Sequence, residues 1–346
     1  MSAQGSTIES RMSGINEAWL AMNKEAILEP DLPIIDPHHH LWDFSTHRYL
    51  IWDLLDDTNS GHKIEATVFI ECTANFKADG PAEMRVIGET EFVNGMAAMS
   101  ASGRYGPTRV AAGIVSLADL TLGGRVEDVL RAHIAAGGGR FRGIRHAAGV
   151  SDTTGVHTSH TNPPLHLYRD HKQFREGFAK LGQLGLTFDA WLYHPQMADL
   201  PHLARAFPEQ PIVFNHCGGP LGIGKYAGKR NEVFVEWKKH IQELATCPNV
   251  HMKLGGIGMR VSGFDFHTRD RPPSSQELAD AWRPYMETCI EAFGAKRCMF
   301  ESNFPVDKIS GSYATYWNAF KRLAGKATAT EKAWLFRDTA KKFYRL

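Results

Sequence analysis

The chain alternates short apolar runs with longer amphipathic stretches from about residue 32 to its C-terminus. Each apolar run has the length of a buried strand, and the stretches between them repeat apolar residues at helical spacing. Several of these stretches end in glycine, as a left-handed helix C-cap favours. The predicted strands are 32–36, 66–72, 109–117, 140–146, 186–194, 211–217, 249–256 and 297–305, and the predicted helices include 125–137, 171–185, 231–245, 277–294 and 330–346.

Strands that alternate with helices predict parallel βαβ units, and eight of them favour a closed (β/α)8 TIM barrel over an open doubly wound sheet. The first strand is not followed by G-x-G-x-x-G, which removes the main argument for the open sheet. We expect the helix at 330–346 to close the outer ring of the barrel. Residues 1–30 are predicted to be an N-terminal arm, with a helix from about Asn16 to Leu28, and residues 31–346 to be the barrel.

Two connections are longer than a barrel needs, and both are polar and punctuated by glycine and proline. They span 146–170 and 256–276, and each follows a predicted strand. Because βα loops lie over the C-terminal face of a barrel, these loops are candidate lids over a site. The side chains that would shape a pocket from these loops are His157, His160, Tyr168, Arg260 and His267.

Composition narrows the class of ligand. Hydrophobic residues make up 43% of the chain and charged residues 22%, so a large folded core is available. The formal net charge of +1 gives no electrostatic reason to expect nucleic acid or an anionic membrane as a partner, which leaves small molecules. The five cysteines are widely spaced and indicate buried thiols in a reducing compartment. With no secretory signal and no long apolar run, the prediction is a cytoplasmic protein.

Polar residues recur where the predicted strands end. Because side chains on a strand alternate between two faces, His38 and His40 project to one side and His39 to the other. Imidazoles at positions i and i+2 can share a zinc ion or another divalent ion. The strand ends together carry Asp36, His38, His40, Glu71, Arg142, Arg145, His146, His194, Asn215, His216, Lys253, Ser302 and Asn303.

Each of these residues also has a purely structural interpretation. A lone His-x-His is more often not a ligand pair, and His194 by itself is typical of a satisfied core or loop histidine. Arg142 and Arg145 could be ion-pair residues of the barrel, with Glu71 as their partner. The convergence of four histidines at the ends of strands one, five and six favours a functional site.

The motifs "IIDPHHHLWD", "FRGIRH", "YHPQ", "IVFNHCGGP", "HMKLGG" and "RCMFESNFPVDK", in this order, resemble the amidohydrolase-2 group of the amidohydrolase superfamily. Within it, the chain is most similar to the branch that contains 2-pyrone-4,6-dicarboxylate lactonase and sugar-acid lactonases such as fuconolactonase. The resemblance covers about residues 33 to 344 and implies a distorted (β/α)8 barrel. The N-terminal arm has no counterpart in it.

The resemblance also implies roles for single residues. The D-x-H-x-H motif of the family falls on Asp36, His38 and His40, and the histidine of its sixth strand falls on His216. The arginine of "G-I-R-H", implied to hold a substrate carboxylate or lactone oxygen, falls on Arg145, and a bidentate guanidinium suits an anionic oxygen pair. The family's "H-P-Q" position is His194, and this residue, Arg142, Glu71 and Asn303 are further candidates for contacts to substrate.

One position departs from the family pattern. Where the family commonly has the "G-S-D-W-P" aspartate as general base, this chain has "ESNFP", with Asn303. A neutral amide cannot accept a proton from water or supply charge to a metal. Asp307 is the nearest carboxylate and our first choice as the base, with Glu71, His216 and His194 as alternatives.

The metal content is left open by the sequence. His38, His40 and His216 would form an all-nitrogen site for one divalent ion, most plausibly zinc. The same histidines could instead act without metal, as hydrogen-bond donors around an oxyanion.

The resemblance implies a hydrolase of EC class 3.1.1 that opens a lactone, or a related cyclic ester or amide, of a small carboxylated molecule. Arg145 would anchor the substrate, the three histidines would polarise its carbonyl, and Asp307 or a histidine would activate water. One alternative is a metal-dependent, non-oxidative decarboxylase of an aromatic acid, which the absence of an early "E-E-A" motif disfavours. Another is a catalytically inactive barrel that binds a ligand, and the arm would suit packing in a homo-oligomer.

Overall fold

A computed structural model describes residues 15–44 and 47–346. Its central feature is an eight-stranded sheet in which neighbouring strands are parallel and follow one another in chain order, as a TIM barrel requires. The strands of this sheet are β1 (Pro33–His39), β4 (Lys63–Ile70), β5 (Arg109–Ser116), β6 (Phe141–Arg145), β7 (Thr187–Ala190), β8 (Ile212–Phe214), β9 (Val250–Leu254) and β10 (Cys298–Phe300), with a hairpin of β2 (Trp42–Phe44) and β3 (His47–Tyr49) inserted after β1.

Helices surround the sheet, and the four predicted between residues 125 and 294 are present within two residues of their expected ends. The longest carries a Ser274 and Glu277 capping box at its start, which fixes where the chain turns from loop to helix. The described helices are α1 (Glu17–Leu20), α2 (Ile51–Thr58), α3 (Ile87–Ala101), α4 (Val126–Ala136), α5 (Leu167–Asp170), α6 (Lys172–Gln183), α7 (Asp199–Ala206), α8 (Arg230–Ala245), α9 (Ser275–Phe293), α10 (Tyr313–Leu323), α11 (Ala329–Ala333) and α12 (Thr339–Tyr344).

The barrel closes between β1 and the segment that follows β10. The amide of Asn303 donates to the carbonyl of His38 at 3.0 Å, and the amide of His40 donates to the carbonyl of Phe304 at 2.8 Å. Asp36 adds a side-chain link, because its carboxylate accepts from the Ser302 hydroxyl at 2.6 Å. The seam of the barrel is therefore built from the residues that the sequence singled out for chemistry.

The C-terminal segment corrects one prediction, since only part of it lies in the outer ring. A π-helical turn, Trp334–Asp338, contacts β1 and β10 from outside. The following α12 instead places Phe343 and Tyr344 in an apolar cluster with side chains from inside the barrel. The inward-facing side chains of this cluster are Ile35, Val68, Val115, Val213 and Met299, so the chain end seals the barrel opposite the strand C-termini.

The N-terminal arm is less helical than predicted. Only α1 forms, although a helix was expected as far as Leu28, because the backbone beyond it bonds to the barrel instead. The amide of Leu28 donates to Asn318 at 2.9 Å, and the carbonyl of Ala26 accepts from the same side chain at 2.9 Å. Residues 15–30 thus pack on their own barrel; residues 1–14 lie outside the described residues. The arm and barrel division and the homo-oligomer stay predictions.

All five cysteines are free and buried, as the sequence predicted. Within residues 15–44 and 47–346, no helix has both the length and the apolar character needed to cross a membrane.

Candidate active site

Two of the three consecutive histidines, His38 and His40, project to one side of β1, and His39 projects to the other. His38 and His40 have ring centroids 5.0 Å apart, whereas His39 bonds Thr67 at 2.9 Å and packs edge-on against Phe69. Burial lowers the pKa of His39 to about 3, so this ring is neutral. The alternation read from the sequence therefore places these three side chains correctly.

His38 and His216 share one carboxylate, that of Glu301. His216 Nδ1 lies 2.7 Å from Glu301 Oε1, and His38 Nδ1 lies 2.7 Å from Glu301 Oε2. Burial lowers the pKa of both imidazoles, and in His216 the charge of Glu301 opposes this shift. Among the described residues, these three form the group of potential metal ligands whose donor atoms lie within 4.8 Å of one another.

A glycine allows His216 to take its place. Gly256, after β9, has a φ of 64° and a Cβ there would collide with the His216 ring. His216 itself has a φ of 57°, in the left-handed region that residues other than glycine rarely adopt. Such strained backbone is typical of functional sites, and here it turns the imidazole toward Glu301.

A chain of buried polar groups connects this cluster with the sealed end of the barrel. Lys253 Nζ lies 3.3 Å from His38 Nδ1 and donates to Asp189 at 2.7 Å. The hydroxyl of Tyr344 donates to the same carboxylate at 2.9 Å. The C-terminal helix thus supports the cluster from inside the barrel.

Arg145 is held by Glu71 through a bidentate contact. Arg145 Nε donates to the Glu71 carboxylate, and Nη2 donates to the Glu71 carbonyl, both at 2.6 Å. Arg145 Nη1 lies 3.4 Å from His38 Nε2, and His160 contacts the other Glu71 oxygen at 3.2 Å. Although burial raises it, the pKa of Glu71 is lowered overall by the charges of Arg145 and His160. Glu71 is therefore an anion that fixes the guanidinium beside the histidines.

Asn303 stands between His40 and Asp307. Its Oδ1 lies 3.3 Å from His40 Nε2, and its Nδ2 donates to Asp307 at 2.7 Å. Asp307 also accepts from the amide of Gly258 at 2.9 Å, and burial raises its pKa to about 8. Asp307 is fully buried and reaches the other site residues through Asn303, so its carboxylate does not contact the cavity directly.

Four of these side chains, His40, Arg145, His216 and Asn303, form the floor of a cavity of about 440 Å³ at the C-terminal face, whereas His38, Glu71, Glu301 and Asp307 do not line it. The two loops predicted as lids contribute His157 and Arg260 to its mouth. The residues that line the cavity are His40, Arg145, Gly155, His157, Trp191, Tyr193, His216, Ile223, Met259, Arg260, Val261, Asn303, Val306 and Ile309.

A larger cavity of about 560 Å³ lies beside it and shares none of the floor residues. It is lined by His146, His160 and His171, among others. The smaller cavity is the candidate active site because the arginine, the asparagine and the catalytic candidates His40 and His216 all face it.

Two residues predicted from the sequence lie elsewhere. Arg142, at the start of β6, donates to the Gly139 carbonyl at 2.7 Å, near the sealed end of the barrel. His194 accepts from the amide of Leu221 at 3.1 Å and packs against Tyr226, so it supports a loop. Neither side chain lines the cavity.

Lys253, Glu301 and Asp189 were not predicted as site residues. Lys253, near the end of β9, was noted only as a polar residue at a strand end, and Glu301 and Asp189 were not noted at all. Glu301 directly follows β10, and strand alternation places it on the same side as Asn303, which is the signal that could have found it. Asp189 lies inside β7 among apolar neighbours and gives no comparable signal.

Glu89 on α3 organises the turn that follows Glu71. One of its oxygens accepts from the amides of Cys72 at 3.0 Å and Ala74 at 2.8 Å. Burial raises the pKa of Glu89 to about 8, with a further contribution from Glu71. At neutral pH Glu89 is therefore a largely protonated acid that shapes the turn without adding charge beside Glu71.

This raised pKa predicts a pH effect on stability. The folded protein binds a proton at Glu89 more tightly than the unfolded chain does, so the free energy of unfolding should fall as pH rises from about 4.5 to about 8. We expect E89Q to reduce that fall by about 1 kcal/mol or more, because the amide does not ionise. Thermal unfolding across this pH range measures it, with Glu91→Gln on the exposed face of α3 as control. Equal pH slopes in wild type and E89Q would contradict the assignment.

The comparisons with known proteins agree with this architecture. A family model described as Amidohydrolase matches residues 35–346. An uncharacterized protein, y4mH, of Sinorhizobium fredii is 33% identical over 339 residues, which cover 91% of this chain and 99% of the relative. The L-fucono-1,5-lactonase of Burkholderia multivorans is 24% identical over 210 residues, covering 60% of this chain and 64% of that enzyme.

Solved structures share the fold at lower identity. The crystal structure of an amidohydrolase from Burkholderia multivorans with bound zinc has a TM-score of 0.67 at 21% identity, covering 90% of this chain and 99% of that one. The 5-carboxyvanillate decarboxylase of Novosphingobium aromaticivorans, complexed with manganese, has a TM-score of 0.57 at 11% identity, covering 92% and 97%. At these identities the likeness concerns the fold alone.

Proposed function

The chain belongs to the amidohydrolase family, and from this premise we propose that it hydrolyses a lactone, or a related cyclic ester or amide, of a small carboxylated molecule. The observation that carries the proposal is the cavity floor, where the buried cation Arg145 lies beside neutral imidazoles and an amide oxygen. This set can hold an anionic oxygen and accept a proton from water. A lactonase among the relatives supports the same reaction.

Arg145 is the proposed anchor for the substrate. Its Nε and Nη2 are occupied by Glu71, which leaves Nη1, on the side of His38, to face the cavity. A guanidinium fixed in this way is preorganised to bind a carboxylate or the developing oxyanion of the opened ring. Binding of the substrate anion requires no reorganisation of Arg145, because Glu71 already holds the guanidinium in place.

His40 is the proposed acceptor of the proton from water. Its Nδ1 donates to the carbonyl of Ile70 at 2.8 Å, and burial together with Arg145 lowers its pKa, so the neutral ring carries a lone pair on Nε2. That nitrogen and Asn303 Oδ1 are two acceptors 3.3 Å apart. A water molecule that donates one hydrogen to each would be held against the floor and oriented for attack. Asn303 thus positions water, and the histidine takes its proton.

Asp307 is proposed to set the orientation of Asn303. When ionised, Asp307 accepts from Asn303 Nδ2, which turns Oδ1 toward His40. When protonated, Asp307 can donate instead, and the amide is free to turn the opposite way. The aspartate predicted as a general base would then act through its neighbour.

This role predicts the pH dependence of catalysis. Because the pKa of Asp307 is raised to about 8, kcat/KM should rise with pH, about tenfold per unit below that value, and level off above it. We expect D307N to lose this inflection and about 10- to 100-fold of the activity at high pH. Initial rates between about pH 6 and about pH 9.5 measure both effects. The control is Asp79→Asn, at an exposed position, and an unchanged inflection in D307N would refute the role.

A divalent metal ion fits the cluster of His38, His216 and Glu301. Two imidazoles and one carboxylate are a common donor set for catalytic zinc, and Glu301 Oε2 is buried without a hydrogen bond of good geometry. These residues differ from the trio predicted from the sequence, because Glu301 takes the place of His40. If bound there, the ion would supply Lewis-acid polarisation of the substrate carbonyl.

Elemental analysis of the purified protein tests the metal site. We expect about one divalent ion per chain, and at least about tenfold weaker metal binding in E301Q because a neutral amide replaces the carboxylate. Glu291→Gln, at an exposed position, is the matched control. Wild-type protein that binds no divalent ion even when supplied with zinc would exclude the metal while leaving the proposed hydrolysis intact.

The proposed function is tested with a panel of sugar-acid and aromatic-acid lactones. Ring opening, followed by proton release and product analysis, is the expected result. Release of CO2 from aromatic acids without turnover of any lactone would favour the decarboxylase. If the wild type converts nothing and N303D creates activity, the barrel is an inactive relative that has lost its base.

A further inference from the structure

One wall of the candidate active-site cavity is apolar. It is contributed by the loops that follow four consecutive strands, β7 to β10. The side chains of this wall are Trp191, Ile223, Met259, Val261, Val306 and Ile309.

The wall is a packed structure and not a set of isolated side chains. Val156, Tyr193 and Leu221 form a buried hydrophobic cluster, separate from the main core, against which Trp191, Ile223, Tyr226 and Val261 pack. The amide of Gly222 donates to the Val261 carbonyl at 2.8 Å, which ties two of the loops together. The position of the apolar surface is therefore fixed by contacts within the protein.

The polar lining groups adjoin this wall, and Trp191 packs edge-on against His216, with ring centroids 4.6 Å apart. His40, Arg145, His216 and Asn303 are on the floor, and His157 and Arg260 come from the lid loops. The Tyr193 hydroxyl donates to the His157 carbonyl at 2.8 Å. Among the described lining residues there is no carboxylate, and the charged ones are both arginines. The cavity lining thus places two arginines and a cluster of polar side chains next to a hydrocarbon surface.

A sugar-acid lactone would place hydroxyl groups against the hydrocarbon. Each such hydroxyl gives up its bonds to water and finds no partner on an aliphatic or indole surface. A hydrophobic pocket rejects an added hydroxyl by about 100-fold. An aromatic or alkyl group at the same place gains from burial instead.

We propose that the natural substrate is an anionic lactone with an apolar body, aromatic or alkyl-substituted, and not a polyhydroxylated sugar-acid lactone. This inference rests on the proposed hydrolysis and names its substrate class. The reactive carbonyl faces the histidines, the carboxylate binds an arginine, and the hydrocarbon body lies on the wall formed by Trp191, Ile223 and Val261.

The test compares two γ-lactones that each carry one carboxylate: phenylparaconic acid, with an apolar substituent, and glucaric acid γ-lactone, with hydroxyls. We expect wild-type kcat/KM to favour the phenyl compound by about 100-fold or more. V261T and V306T, which add a hydroxyl without changing side-chain shape, should each reduce that preference by about tenfold. The control V235T changes an exposed valine on α8 and should leave the preference as it is.

The outcomes separate the inference from the function on which it rests. Equal or faster hydrolysis of the hydroxylated lactone, here or in other matched pairs of the panel, overturns the apolar substrate class and leaves the hydrolase in place. A preference that V261T, V306T and V235T all leave unchanged overturns the assignment to this wall. Hydrolysis of no lactone in the panel overturns the proposed function itself.

Discussion

R145M should lower kcat/KM for lactone hydrolysis by about a thousandfold, equivalent to about 4 kcal/mol of transition-state stabilisation. Arg145 is the one cation on the cavity floor among the described residues, and its guanidinium is oriented by two 2.6 Å contacts to Glu71. Without it, neither a substrate carboxylate nor an oxyanion has a charged partner there. Steady-state kinetics measure the loss.

Arg142 provides a matched control on the same strand. Its side chain points to the sealed end of the barrel, so R142M should retain wild-type activity within about threefold. R145M should also destabilise the fold by about 3 to 5 kcal/mol, since the buried Glu71 carboxylate loses its arginine and is left with His160 at 3.2 Å. The double variant E71Q/R145M removes both charges and should recover stability without recovering activity. Near wild-type activity in R145M would show that the anchor lies elsewhere.

K253M should destabilise the barrel by about 3 to 5 kcal/mol, or about 10 °C in Tm. Lys253 is fully buried and pairs with Asp189 at 2.7 Å, so its loss leaves the Asp189 carboxylate without its cation in the barrel interior. It also removes the cation 3.3 Å from His38, and activity should fall even in the molecules that remain folded.

Two further variants separate the contributions of Lys253. K239M, at an exposed site on α8, should change neither Tm nor rate. D189N in the K253M background removes the negative charge that has lost its lysine. The double variant should recover part of the lost free energy of unfolding, because Tyr344 and Asn215 can still bond the amide. Thermal unfolding of the wild type, K253M, D189N, the double variant and K239M gives the result. Additive losses in the double variant would mean that the two residues are not a coupled pair.

Most of the fold could be predicted from the sequence, because the period of the hydrophobic residues and the polar residues at strand ends are local signals of secondary structure. All eight predicted strands form the sheet, since each apolar run is buried on both faces in a parallel barrel. The arm and the last helix could not be predicted in the same way. Leu28 bonds to Asn318, and Phe343 packs among barrel residues, so long-range contacts override the helical pattern in both places.

Site residues could be predicted where the geometry of a strand determines the direction of their side chains. They were harder to predict where a loop determines it. Alternation separates His38 and His40 from His39, and the parallel sheet brings His216 to the same end. His194 lies outside the cavity because the chain leaves β7 at Ala190 and places this residue at the start of a short 3-10 helix, His194–Gln196. Arg142 lies outside it because it is near the start of β6, whereas catalytic side chains project from the strand ends.

Asn303 shows what only the three-dimensional arrangement reveals. In the sequence it is a missing carboxylate, and Asp307 was expected to replace that carboxylate directly. In the structure Asp307 lies behind Asn303 and bonds its amide nitrogen, so the pair presents an amide oxygen to His40. This arrangement of Asn303 and Asp307 depends on the left-handed backbone conformation of Asn303, with a φ of 55°, which the residue pattern does not predict.

Isotope labelling shows whether this site uses water to open a lactone. The best lactone substrate of the panel is converted in oxygen-18 water, and the product is analysed by mass spectrometry. We expect one heavy oxygen in the newly formed carboxylate, at a rate that R145M lowers by about a thousandfold and R142M leaves within about threefold of the wild type. Product formation without that oxygen, or formation of CO2 in its place, would contradict the proposed hydrolysis.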